Sequence, residues 1–245
     1  RNAVAFTVDV LSDPFNAGLF VGVGLLVTVG IAAYLYVRPT ITDIVVLREK
    51  LAGYGDLIPW MLRLAVGMPL IGAGFQGYLF APTVTFNVGA NPLLRVLFIA
   101  LGFFVLFGLG TRIVATIGLV TYGWALATNP PVFLAVEYVP IFLALFLLGG
   151  GRPSADDMLL EVASTEGSYY GRVDPVHHLK AFLDDRTREY RKYVPVVLRV
   201  GMGVSFVYLA LIQKLAAPGS GLLVVEKYDL TAVVPVDPGL WVVGA

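Results

Sequence analysis

Residues 17–37, AGLFVGVGLLVTVGIAAYLYV, carry no charge and are numerous enough for a helix to cross about 30 Å of hydrocarbon. Such a stretch has few structures open to it. In lipid, backbone N–H and C=O groups must be satisfied inside the protein, which leaves helices or closed barrels, and an unbroken apolar run is helical. Hydrophobic residues make up 58% of the chain and charged ones 14%, far from the balance of a soluble domain. The fold class expected is therefore all-α, a polytopic helical membrane protein with the lipid bilayer as its first partner.

The remaining composition narrows the chemistry. Formal net charge is zero, so bulk electrostatics gives no sign of a nucleic-acid partner. With no cysteine, disulfides, iron–sulfur clusters and thiolate metal sites are excluded within this chain. The only histidines, His177 and His178, fall in a polar segment, so no pair of intramembrane imidazoles is available for a haem. Adjacent residues diverge by about 100° around a helix, which favours a surface reading of that pair over a metal site. No Walker, dinucleotide-binding or Ser-His-Asp pattern stands in a fitting context.

Further spans are expected at 57–80, 92–109, 112–127, 132–148 and 194–215, with Arg38-Pro39 closing the first. The joints are polar or rich in breakers. Gly110-Thr111-Arg112 is the least obvious of them, yet an unbroken helix from Pro92 to Ala127 would run about 54 Å, much longer than a bilayer needs. Gly18-x3-Gly22 is a spacing that lets helices approach closely, or glycine merely tolerated in lipid.

Two stretches match without a gap. IPWMLRLAVGMPLIGAGFQGYLFAP, ending at Pro82, and VPVVLRVGMGVSFVYLALIQKLAAP, ending at Pro218, pair Pro59 with Pro195, Arg63 with Arg199 and Gly67 with Gly203. This Pro-x3-Arg-x3-Gly-x14-Pro skeleton reads as an internal duplication. Both copies open on the same side, so they are parallel repeats.

Counting cations orients the chain. With the N-terminus outside, Arg38, Arg48, Lys50, Arg112, Arg152, Arg172, Lys180, Arg186, Arg188, Arg191 and Lys192 fall inside, against Arg1 and Lys227 outside. Residues 149–193 are then cytoplasmic, in a protein of the cell membrane. Arg63 and Arg199 sit one turn inside the cytoplasmic ends of their helices, while Arg95, Glu137 and Lys214 lie towards the outer ends. A charge near a helix end can snorkel to the headgroups. Repetition of the arginine suggests a shared role, such as holding a lipid or quinone headgroup or bracing the bundle. Glu137 and Arg95 share a depth on adjacent spans, which suggests an ion pair, with Glu137 also a candidate proton acceptor. Trp60, Tyr78, Tyr122, Trp124 and Tyr138 read as interfacial belt anchors. In the polar segment, Asp174-Pro175 is a helix start, and apolar residues recur at helical spacing to Tyr193, predicting an amphipathic helix along the cytoplasmic face.

The segment from Leu57 to Asp157 resembles the DoxX family of small four-helix membrane proteins. The residues that carry the resemblance are Arg63-x3-Gly67, Gly110-Thr111-Arg112 and the closing Gly149-Gly150-Gly151-Arg152-Pro153-Ser154-Ala155-Asp156, close to the family's Gly-Arg-x-Ser-x-Asp ending. The second copy keeps Lys214, a lysine the family often carries, where the first has Tyr78. The resemblance implies an antiparallel four-helix bundle at 57–157. An anchor helix and loop (1–56) precede it; an amphipathic linker (158–193) and a partial second bundle (194–245) follow. The second copy stops early, so the expectation is a chain that continues past Ala245, and one that begins before Arg1, or another subunit covering the open faces.

Family relatives include membrane subunits of quinone-linked oxidoreductases. The function implied is a membrane subunit of a redox complex that presents a quinone site or docks a catalytic partner, alongside other membrane or soluble subunits. The cofactor implied is quinone, with Arg63, Arg199 and Lys214 as headgroup contacts and Glu137 as the catalytic candidate. The rivals are a non-enzymatic scaffold, needing only packed helices, and a transporter built from parallel repeats.

Overall fold

Asp-Pro pairs start helices because the carboxylate caps the first amides while proline presets the first helical turn. Asp13 accepts from the N–H groups of Phe15 (2.8 Å) and Asn16 (3.3 Å), and Asp237 from those of Gly239 (2.8 Å) and Leu240 (3.2 Å). The computed structural model describes residues 3–37, 42–87, 91–164, 183, 185–212, 218–233 and 235–244. Its helices are α1 (Ala3–Ser12), α2 (Pro14–Val37), α3 (Thr42–Ala52), α4 (Ile58–Gln76), α5 (Pro92–Phe107) and α6 (Thr111–Thr128). They continue with α7 (Tyr138–Leu148), α8 (Ala155–Ser164), α9 (Val194–Ala210), α10 (Pro218–Lys227), α11 (Leu230–Val233) and α12 (Pro238–Gly244). Short 3-10 turns occupy Gly55–Leu57, Pro130–Ala135 and Glu189–Tyr193. Among the described residues there is no strand, only an isolated antiparallel bridge between Tyr78 and Thr85.

Three of the described helical stretches are long and apolar enough to cross a membrane: Pro14–Val37, Gly55–Gln76 and Asp185–Ala210. α5, with 16 residues, and α7, with 11, fall short of the ~20 residues a perpendicular span needs. The expected span at 132–148 is divided: its first part is the 3-10 turn Pro130–Ala135, and α7 begins only after Glu137. Beyond the expected span at 194–215, Pro218 opens α10, and α11 follows it.

The chain forms two units, Arg1–Arg48 with Phe206–Ala245, and Glu49–Ser205. In the first, α1 packs on α2 and α12, and α10 on α12, around Phe6, Val225 and Val242. The buried Asn16 side chain donates to the Val10 carbonyl at 3.2 Å and ties α2 to α1. α2 is otherwise exposed, and Gly18 and Gly22 have open space around them, with no close helix approach.

In the second unit α4 packs along α5 and α6 along α7, with further contacts between α4 and α7 and between α5 and α6. Small residues set the approach. A Cβ on Gly67 would lie 2.9 Å from the Gly102 carbonyl oxygen, one on Gly102 would lie 2.8 Å from that of Gly67, and one on Gly118 would lie 2.5 Å from the Phe142 ring. The core centres on Phe80, whose ring makes edge contacts with Phe98 (4.9 Å), Tyr138 (5.0 Å) and Tyr122 (5.1 Å). Tyr122 and Tyr138 are thus buried core residues rather than belt anchors, and the Tyr122 hydroxyl donates to the Val132 carbonyl at 3.3 Å. Trp60 and Trp124 are exposed.

Candidate functional site

Residues far apart in sequence meet at one end of α4–α7. Arg63, on α4, is 1% exposed; its Nη2 donates to the Pro153 carbonyl, and its guanidinium fills the space where a Cβ on Gly108 would stand. Gly108 also has φ +70°, a conformation that side chains other than glycine's rarely adopt. Asp156 exerts the attractive charge on Arg63. The same carboxylate caps α6, accepting from Gly110 N–H at 2.6 Å, Thr111 N–H at 3.0 Å and the Thr111 hydroxyl at 3.1 Å. An anion there offsets the positive end of the helix dipole and satisfies orphan amides. The Asp156 N–H returns a bond to the Gly108 carbonyl at 3.0 Å.

The closing Gly-Arg-Pro-Ser-Ala-Asp stretch thereby acquires physical roles. Ser154 caps α8, accepting from the Asp157 N–H at 3.2 Å, and Arg152 meets Asp157 at 3.2 Å in an exposed ion pair. Arg112, expected at an interface, is buried, with its Nε donating to the Phe146 carbonyl at 3.0 Å. It lines a cavity of about 240 Å³ together with Thr111, Gly149, Asp156 and Leu183. A second cavity, about 510 Å³, brings Pro59 and Pro195, the opening prolines of the two copies, to one place with Asp56, Arg152 and Arg191.

The other candidates lie elsewhere. Arg199 is exposed, and Gly203 has nothing within 4 Å of a built Cβ, so among the described residues the second copy shows no counterpart of the partners that enclose Arg63 and Gly67. Lys214, His177, His178 and Asp174-Pro175 lie outside the described residues, as do 175–182 and 184 of the expected amphipathic helix; its described remainder is helical, with Glu189–Tyr193 a 3-10 turn leading into α9. α8 is an amphipathic helix that the sequence reading did not anticipate. Arg95 and Glu137 form no ion pair. The Arg95 guanidinium stands 5.8 Å over the Phe75 ring, and Glu137 Oε2 is buried with no hydrogen-bond partner.

Glu137 lines a third cavity, about 250 Å³, between α4, the 78–82 turn and the start of α7, with Val66, Pro69, Tyr78, Phe80 and Tyr138 in its wall. Phe80 holds φ +50°, and the Ala81 N–H donates to the Leu79 carbonyl across it in a three-residue turn. A bulky residue in this region costs of order 1–3 kcal/mol, and such strain concentrates at functional sites. Pro69 lies inside α4 and has no N–H, which deprives the Ala65 carbonyl of its helical donor. Sequence reading singled out Glu137, Tyr78 and Tyr138 but missed Phe80, Ala65 and Pro69. Pro69 in mid-span was the available signal. Comparison with models of known protein families, with curated proteins and with solved structures finds no match to this chain.

Proposed function

We propose that the chain is a membrane subunit of a redox complex, built around a DoxX-like four-helix unit at 57–157 and presenting a quinone-type site or a docking face to a catalytic partner. The observation that supports this reading is the convergence of the residues carrying the resemblance. Arg63, Gly108–Thr111 and Pro153–Asp156 interlock through Pro153 O, Asp156 and the α6 N-terminus. We read α4, α5, α6 and α7 as the four helices of that unit, with the interlocked end cytoplasmic, as the cation asymmetry favours. Electrons, if they pass here, need quinone or a cofactor on another chain, since this one has no cysteine and its two histidines, His177 and His178, fall in a polar segment.

Arg63 braces the unit rather than holding a headgroup, because its guanidinium is enclosed by Gly108 and Pro153. That same enclosure favours a second reading, a scaffold subunit with no chemistry of its own. Purification from native membranes in mild detergent, with mass spectrometry of accompanying subunits and quinone analysis of the extracted lipid, separates the two. The redox reading predicts a stoichiometric redox subunit and bound quinone; partner proteins without redox centres and ordinary lipid alone would overturn it in favour of the scaffold.

A further inference from the structure

We propose that the cavity between α4, α7 and the 78–82 turn binds an uncharged, ring-sized molecule bearing a hydroxyl, a phenol or hydroquinone-type ligand, and that Glu137 recognises the hydroxyl. The volume suits a ring: an engineered cavity of about 150 Å³ holds benzene, and this one is about 250 Å³. Its inner wall is apolar and aromatic, with Val66, Phe80, Tyr138 and Ile141 all buried, while Ala65, Pro69 and Pro82 at its rim are exposed. The ligand's entrance is therefore sideways, across the surface of α4, the route open to a molecule dissolved in lipid.

Hydrogen bonding selects the hydroxyl. Glu137 Oε2 is buried and unpartnered, so the wall presents an unmet acceptor. An ionised carboxylate only accepts, whereas a protonated one also donates. A hydroxyl donates and accepts, and so matches either state; a hydrocarbon ring satisfies neither. Phe80, strained at φ +50° and packed against three rings, fixes the shape of the floor.

The inference gives the quinone-type site of the proposed function a position, and it rests on that reading for the membrane source of the ligand, not for the recognition chemistry. Its test is fluorine NMR of 4-fluorophenol and of fluorobenzene with the purified full chain in micelles, against protein-free micelles. Saturable 4-fluorophenol binding is expected, lost in Ala65→Phe and about tenfold weaker in Glu137→Leu, with fluorobenzene unaffected by the latter, because only the hydroxyl uses the carboxylate. Ala65 is exposed and Glu137 Oε2 accepts no hydrogen bond, so Ala65→Phe uncovers no buried side chain and Glu137→Leu breaks no bond to that oxygen. No saturable binding to the wild type, or equal binding by all three proteins, overturns the proposal. Saturable, Glu137-dependent binding in a protein whose native membranes yield neither quinone nor redox subunit upholds the cavity and overturns the redox function. A redox complex retaining full quinone in Ala65→Phe does the reverse.

Discussion

Arg63 and Arg199 hold equivalent places in a repeat and live in opposite surroundings, one enclosed by Gly108, Pro153 and Asp156, the other exposed. Removing a buried cation leaves its acceptors unmet and a void behind it, so Arg63→Ala is expected to cost about 3 kcal/mol. Arg63→Lys should recover little, because a single ammonium cannot fill a planar fork. Arg199→Ala should fall within about 0.5 kcal/mol of wild type. Thermal unfolding of the three variants in one detergent checks this; equal loss at Arg63 and Arg199 would contradict it. The arginines and their places near the starts of α4 and α9 were legible in the sequence, because charge inside an apolar run is conspicuous. Their partners were not. Pro153 lies 90 residues from Arg63, and nothing local to either residue announces the contact.

Among the elements, the expected spans at 17–37, 57–80 and 92–109 each hold a helix, but the ends differ: α2 starts at Asp13-Pro14, and Gly77 and Gly108 end α4 and α5 early in left-handed caps. What escaped was structure set by tertiary packing. Pro130-Pro131 open a 3-10 turn that keeps Glu137 out of α7, and the 78–85 segment folds back through its Tyr78–Thr85 bridge to place Phe80 among three rings. Apolar periodicity cannot report either event, since both leave the residues equally hydrophobic. The small-residue contacts were half legible: Gly67 stood out through the repeat, but Gly102 and Gly118 became meaningful only once their neighbours were known. Gly118→Leu is expected to separate α6 from α7, because its Cβ would stand 2.5 Å from the Phe142 ring. The loss should be about 2 kcal/mol or more, read by unfolding, whereas Gly22→Leu, in open space, should cost less than about 0.5 kcal/mol.

At the scale of the whole molecule, the two ends of one helical unit differ chemically. The end holding Arg63, Arg112 and Asp156 is polar and interlocked; the strained Phe80 turn belongs to the opposite end of α4. A sign of that difference lay in the sequence, where Lys and Arg gather in alternate expected loops between uncharged runs. Chemistry was far less legible, since a carboxylate's function depends on the cavity beside it and not on its neighbours in sequence.

The most direct test of the central claim, that this unit spans the bilayer with its interlocked end inside, is cysteine labelling. The chain has no cysteine, so single replacements report cleanly. Membrane-impermeant maleimide applied to intact cells should label Thr85→Cys and Thr128→Cys, both exposed, and should reach Asp56→Cys and Arg152→Cys only after permeabilisation. Labelling of all four from outside, or of the Thr85 and Arg152 positions from the same side, would contradict the account.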